Sequence, residues 1–193
     1  MTTKLSTFAQ VRALEGADAI AFSAALLQRM VPNYQLFCEL TEFAEPDTLS
    51  KCLGLIWESL CSPKSKINFA TQLETVEEAT PDVSDYDSFG VYPALDAAIA
   101  MSSAINLIMK VDPHGAVVVS KLSQGSVEAY LLASGEATED DVKIHPLMQF
   151  EIAIQQELLD AVTTKAPMTQ KVSKLKTIAA SEGISNIGLE INP

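Results

Sequence analysis

The sequence predicts an all-α fold: a single-domain multi-helix bundle over residues 1–193, with a buried central helix and a short irregular C-terminal tail. Three observations lead there. Ala and Leu together supply 45 of the 193 residues, 24 and 21 respectively, and both lose little side-chain entropy in a helix. Apolar residues recur in steps of three and four along most of the chain, the spacing that lines up one face of a helix. Finally, 48% hydrophobic residues against 20% charged exclude a disordered or low-complexity chain, and no linker-like stretch or repeat of 20 to 50 residues divides it.

The elements follow in order. A first helix is expected over Phe8 to Glu15, closed near Gly16. Ile20, Ala24, Leu27 and Val31 make a stripe that Pro32 interrupts and Leu36, Phe37, Leu40 and Phe43 resume, which predicts a kinked helix or two helices meeting at Pro32. Leu49, Cys52, Leu53, Ile56, Trp57 and Leu60 form one apolar face that stops at Pro63, so Trp57 should be buried. Phe69, Leu73 and Val76 give the next helix, ending before Pro81. Ala79 to Tyr92 reads as a structured turn region, with Ser84 and Asp87 at capping-box spacing and Gly90 as a breaker.

Pro93 suits a first helical turn, and Leu95 to Met109 is apolar on nearly every side, the mark of a buried central helix. Asp112-Pro113 opens a segment reaching Ser134-Gly135. Its run Val117-Val118-Val119 weakens helix through β-branching, so any strand is expected there or near the tail. Thr138 and Asp141 can close one short turn, Pro146 opens a run carrying Leu147, Phe150, Ile154 and Leu158, and a last helix fits Pro167 to Glu182 with Gly183 after it,. The tail from Ile184 to Pro193 carries no helical stripe and is expected to lie extended over the body.

Charge narrows the function classes. The net charge is -12, from 13 basic and 25 acidic residues, a field that repels nucleic acid and anionic lipid. Residues 67–109 hold seven acids and no Lys or Arg, whereas residues 161–181 hold Lys165, Lys171, Lys174 and Lys176 and no acid. The two segments are expected to attract each other across the fold or across a dimer. Cys38, Cys52 and Cys61 are too few for a disulfide framework,. No signal-peptide pattern is read at the start, and the apolar charge-free run Ala97 to Met109 is 13 residues, short of the roughly 20 needed to span a bilayer. A cytoplasmic location without membrane or nucleic-acid partners is the expectation.

Catalytic patterns are sparse. His114 and His145 are preceded at Glu-x-x-His spacing by Val111 and Val142, so the inward-facing pairs of a carboxylate-bridged metal bundle are missing. The Gly-x-Gly-x-x-Gly dinucleotide signature, the phosphate-loop pattern and the Gly-x-Ser-x-Gly elbow are also missing,. The most distinctive polar feature is the acidic turn with Asp82, Asp85, Asp87 and Asp96. These carboxylates could converge on a divalent cation or act as an acid and base pair; the competing role is capping helix starts, with Glu74, Glu77 and Glu78 on a solvated face. Tyr86 and Tyr92 sit among the acids, and exposed tyrosines favour interfaces.

The run Arg29-Met30-Val31-Pro32-Asn33-Tyr34, Leu55-Ile56-Trp57-Glu58, Asn68-Phe69 with Gln72-Leu73-Glu74, and above all Asp85-Tyr86-Asp87 leading to Gly90-Val91-Tyr92-Pro93-Ala94 resemble the YjaG-like family of bacterial proteins, a domain of unknown function, as does Ser185-Asn186-Ile187-Gly188. The resemblance implies an all-α, soluble cytoplasmic protein. It brings no activity, cofactor, catalytic residue or metal ligand, so Asn33, Tyr34, Gln72, Asp85, Tyr86, Asp87 and Tyr92 stand as interaction candidates. The residues favour a non-enzymatic interaction or regulatory module, with a protein partner or a second copy of the chain. The alternatives are an enzyme or divalent-metal protein using the turn Asp82 to Asp96, and nucleic-acid association through the C-terminal lysines.

Overall fold

Helix α2, Gly16–Thr41, is the element around which the rest is packed. The computed structural model describes residues 5–191. Along α2 lie α5 (Val91–Ile108), α3 (Thr48–Cys61), α6 (Gly115–Ser134), α8 (Met168–Ala179) and α7 (Pro146–Val162). A short α1 (Thr7–Arg12) bridges α6 and α7, and α4 (Phe69–Glu78) rests on α5. Fifteen of the 26 residues of α2 are buried, because it meets neighbours on all sides. Of the two forms expected at Pro32, two separate helices do not occur: α2 runs through it as one element. Pro32 removes the N–H that would bond the Gln28 carbonyl, a local cost, and packing of Met30, Val31, Tyr34 and Phe37 outweighs it.

The stripe of α3 is as predicted: Leu49, Cys52, Leu53, Ile56 and Leu60 are buried, and Trp57 is 6% exposed with the Lys176 ammonium 5.2 Å from its ring centre. The greasy helix α5 buries Ala94, Ala97, Ala98, Met101, Ala104 and Ile105, yet Ile99 is 39% exposed, so α2 rather than α5 is the most enclosed element. At 18 residues α5 is also as long and apolar as a membrane-crossing segment; here its buried face packs on α2 and α6. Val117 to Val119 are helical, with Val117 and Val119 buried, since core contact overrides their modest propensity. At the start of α6 a Cβ on Gly115 would collide with the Ser103 carbonyl oxygen, so glycine lets α6 approach α5 closely.

Boundaries differ from expectation in four places. The first helix stops at Arg12, and Gly16 opens α2 instead of closing α1. In the turn region Asp82, not Ser84, is the cap: its Oδ1 accepts from the Ser84 amide at 2.8 Å over a short 3-10 turn, Val83–Asp85. Helix α8 ends at Ala179, because Glu182 and Gly183 take consecutive left-handed conformations (φ 60 and 62) in the turn that follows. The tail is not laid over the surface. Ile184 and Glu190 form an antiparallel bridge, and the loop between them pushes Ser185, Asn186 and Ile187 into the bundle, all three buried.

Within the chain the opposite charges of residues 67–109 and 161–181 are not paired: Lys171 instead donates to Asp18 at 2.8 Å, and among the described residues no ion pair joins the two segments.

Candidate functional site

Four segments send polar side chains into one buried region. From α2 come Arg29 and Asn33, from α6 Ser120 and Ser123, from α7 Glu151 and Gln155, and from the tail Asn186, all buried. The spacing explains the gathering: Arg29 and Asn33, and likewise Glu151 and Gln155, are four apart on one face of their helices. Glu151 Oε1 accepts from Ser123 Oγ at 2.6 Å and from Gln155 Nε2 at 2.9 Å, and Ser120 Oγ donates to Gln155 Oε1 at 2.7 Å. Arg29 Nε stands 3.5 Å from Glu151 Oε2. That contact is charged but not aligned as a hydrogen bond, and Arg29 Nε and Nη2 and Glu151 Oε2 have no hydrogen-bond partner. Arg29 Nη1 reaches the Ala179 carbonyl at the end of α8 at 3.4 Å, and its guanidinium lies 5.3 Å from the Phe150 ring centre. Burial pushes the Glu151 carboxyl above the ordinary carboxylate range, an effect opposed by Arg29, Ser123 and Gln155,.

Asn186 ties the tail into this region. Its backbone N–H donates to the Arg29 carbonyl at 3.1 Å, its Nδ2 to the Ser123 carbonyl at 3.1 Å, and its Oδ1 accepts from Asn33 Nδ2 at 2.8 Å. The cluster is sealed from solvent. What it does is hold the tail, α2, α6 and α7 in one register.

On the outer side of that plug, Asn33 lines a cleft of about 220 Å³. Its walls are Leu36, Phe37 and Leu40 of α2, Phe89, Gly90 and Pro93 at the start of α5, Tyr130 of α6, and Ile187 and Leu189 of the tail. Phe89 packs against Tyr92 and Tyr130, with ring centres 5.7 and 6.3 Å apart. Around the mouth Leu40 is 76% exposed, Tyr92 51% and Leu36 39%. Glu39 and Glu190 stand exposed in a hollow that shares Leu36 and Leu189 with it. A second, more open groove of about 500 Å³ lies on the other side of the tail loop, among Glu136, His145, Phe150 and Glu182.

The predicted candidates separate into four fates. Asn33 lines the cleft, although it is itself buried, and Tyr92 packs on the cleft's Phe89. Tyr34 is a core residue: fully buried, it donates to the Ala79 carbonyl at 2.8 Å, and burial raises its phenol well above the ordinary value. It therefore cannot meet a partner. Tyr86 is half-buried and packs edge-on against Phe37 at 4.9 Å, so it supports the cleft wall and is not a free tyrosine. Gln72 is half-buried on α4, while Asp85 and Asp87 are exposed.

The acids do not converge. The Asp82 carboxylate caps its turn, which lowers its pKa, and Asp96, within α5, accepts from Ser126 Oγ at 2.6 Å and is raised by burial. Among the described residues no group of three or more His, Cys, Asp or Glu could hold a metal ion. His145 Nδ1 accepts from the Leu147 amide at 3.2 Å and caps α7; Asp141 closes its own turn on Thr138 at 2.6 Å. Cys38 and Cys52 are buried and Cys61 exposed; burial pushes the Cys52 thiol up to about 12.

Sequence reasoning missed Arg29, Glu151, Gln155, Ser120 and Ser123. A signal was present, since Glu151 and Gln155 fall on the same stripe of α7 as Ile154 and Leu158, where a solvated side chain would not belong.

Fold and site together define an all-α bundle locked by a buried C-terminal loop, with an apolar cleft beside the lock. The model of the family described as "Protein of unknown function (DUF416)" matches residues 6–190, and the chain belongs to that family. Among relatives, an uncharacterized protein of Haemophilus influenzae is 37% identical over 184 residues, covering 93% of this chain and 94% of the relative. The uncharacterized protein YjaG of Escherichia coli K12 is 35% identical over 180 residues, 91% of this chain and 92% of its own. The crystal structure of a DUF416 family protein from Shewanella baltica OS155 superposes with a TM-score of 0.88 at 36% identity, covering 97% of this chain and all of that one.

Proposed function

We propose that this chain is a non-enzymatic interaction module that docks a protein partner through the cleft between the C-terminal half of α2 and the start of α5. The observation that carries the reading is the exposed apolar rim, Leu36, Leu40 and Tyr92, around a cleft already open in the free chain. A leucine that is three-quarters exposed beside an apolar hollow gains hydrophobic free energy when a partner covers it. The floor beneath is held by the Asn33–Asn186 pair, so little ordering is required on association. The stretches that carry the family resemblance, Arg29 to Tyr34, Gly90 to Pro93 and Ser185 to Gly188, all contribute to this floor and wall. The net charge of -12 disfavours nucleic acid and anionic membranes as partners. The enzyme or metal reading of the acidic turn has less behind it, since Asp82 and Asp96 already bond Ser84 and Ser126.

The test is parallel affinity capture from a bacterial lysate with the wild-type chain and Leu40→Asp. The reading expects a partner that binds the first directly when purified and is lost with the second, at an unchanged melting midpoint. Partners retained by Leu40→Asp and by Leu36→Asp would overturn it.

A further inference from the structure

The buried C-terminal loop is tied to the rest of the molecule at one residue. Among the described residues three hydrogen bonds join residues 184–191 to the bundle, and all three are made by Asn186: its N–H donates to the Arg29 carbonyl, its Nδ2 to the Ser123 carbonyl, and its Oδ1 accepts from Asn33 Nδ2. The segment's other bonds run within it or to its own hinge. Ser185 N–H donates to the Leu189 carbonyl at 2.8 Å, Leu189 N–H to Ser185 Oγ at 3.1 Å, and Ile191 N–H to the Gly183 carbonyl at 2.8 Å. A loop closed on itself in this way keeps most of its backbone bonds when it leaves its seat.

The apolar part of that seat is separate from the main core. Ile187 and Leu189 pack with Val127, Leu131, Val142 and Met148 in a small cluster formed by the second half of α6, the turn before α7 and the start of α7. The main cluster joins α2, α3, α5 and α8 and contains none of these residues. Local opening follows such boundaries. Two further features favour release. With the loop in place Asn33 Oδ1 is buried without a partner, a penalty that water removes once the loop is out. At the hinge Glu182 and Gly183 take consecutive left-handed conformations, φ 60 and 62, and a left-handed glutamate is strained.

We infer that residues 184–191 are a plug that swings out of the bundle as a unit about Glu182 and Gly183 while the main core stays folded. Tyr130 and Ile187 line both the cleft of about 220 Å³ and the groove of about 500 Å³. When Ile187 leaves, the partition between the two hollows goes with it, and Leu189 is removed from the cleft wall. The cleft therefore exists only while the plug is in. Resting on the docking reading above, the plug decides whether the chain is competent to dock, and a partner that binds only the closed form holds it in place.

The native cysteines supply internal references for the test. Cys38 in α2 and Cys52 in α3 are buried in the main core, and Cys61 is exposed. In the full chain carrying Cys61→Ser and Ser185→Cys, the introduced thiol replaces a fully buried hydroxyl on the plug. Labelling with iodoacetamide under native conditions, followed by peptide mass spectrometry, reads the opening of each site. The Ser185→Cys thiol should react at least about 100-fold faster than Cys38 and Cys52, and its rate should hardly change at low urea, because a local opening exposes little surface. Labelling of Cys38 and Cys52 should rise steeply with urea. Since Ser185→Cys also removes the bond from Leu189 N–H, amide hydrogen exchange is measured on the unsubstituted chain. There the Ser185 and Asn186 amides should exchange far faster than those of Leu27 and Met30 in α2. Asn186→Ala, which removes two of the three bonds to the bundle, should speed exchange at Ser185 and Ile191 by at least about tenfold and leave α2 unchanged.

Equal exchange rates and urea slopes for the plug and α2 in the unsubstituted chain overturn the inference, whatever the Ser185→Cys thiol does. So does an Asn186→Ala effect of the same size on both. Either result leaves the docking reading standing, which falls only if Leu40→Asp and Leu36→Asp retain their partners.

Discussion

Glu151→Gln and Arg29→Met each remove one charge from a pair whose side chains are both fully buried. In Glu151→Gln the amide can still accept from Ser123, but Gln155 loses a charged acceptor and a guanidinium is left in the core without a counter-charge. Breaking a buried pair from one side costs about 3–5 kcal/mol. Arg29→Met strands the carboxylate instead and also frees the Ala179 carbonyl, so its cost falls in the same range of about 3–5 kcal/mol. The double variant should not show the sum. With both charges gone the desolvation penalty goes with them, and the residual cost is the weakened bond from Gln155 and the lost bond to the Ala179 carbonyl, about 1–3 kcal/mol in all,. Urea denaturation of the four proteins measures the cycle, read as a coupling of several kcal/mol between contacting residues. Each single variant should also lower the melting midpoint by about 2–4 °C per kcal/mol for a chain of this size. Single costs below about 1 kcal/mol, or a double variant that equals the sum, would refute the claim that this pair is a desolvated, mutually dependent unit.

Trp57→Ala should cost about 3–5 kcal/mol, the range for emptying a buried aromatic site, and native Trp57 fluorescence should be blue-shifted until unfolding; red-shifted native emission would place the α3 stripe in solvent. Burial raises the Glu151 carboxyl in the folded state and Arg29 opposes that rise, so wild type loses stability as pH rises through the raised folded value, and Arg29→Met, whose carboxyl is raised further, loses it over a wider range. The stability gap between wild type and Arg29→Met, measured by urea midpoints from pH 4 to 7, should therefore widen with rising pH, and a constant gap would mean that Arg29 does not support the carboxylate charge. Mg²⁺ and Ca²⁺ should leave the melting midpoint unchanged relative to EDTA; a concentration-dependent rise abolished by Asp85→Asn or Asp87→Asn would revive the metal reading of the acidic turn.

The helices were legible because their signals are local. The period of Leu49 to Leu60, the proline opening α7 and the glycine closing α6 at Gly135 are each decided by residues within a turn or two. At Pro32 and Val117 to Val119 the local signals argue against continuous helix, and α2 and α6 run through them because tertiary packing overrides local preference,. The lock was not legible, since it joins Asn33 to Asn186 and Arg29 to Glu151 across most of the chain. A polar residue on an apolar stripe announces only that something must pair with it, not what. Tyr86 misled for a related reason: its position among acids suggested exposure, and its ring supports the wall behind the cleft, while Tyr34, a candidate through the family resemblance, serves the core. The cleft itself is assembled from four separate segments, so no single stretch of sequence carries its outline.

Hydrogen–deuterium exchange of the full chain, alone and with the partner captured by wild type but not by Leu40→Asp, tests the docking account most directly. The account predicts new protection concentrated in residues 36–41, 88–93 and 187–191, around Asn33 and the exposed Leu40. Protection confined to the open groove at Glu136, His145 and Glu182, or to the turn from Asp82 to Asp87, with the cleft segments unchanged, would contradict it.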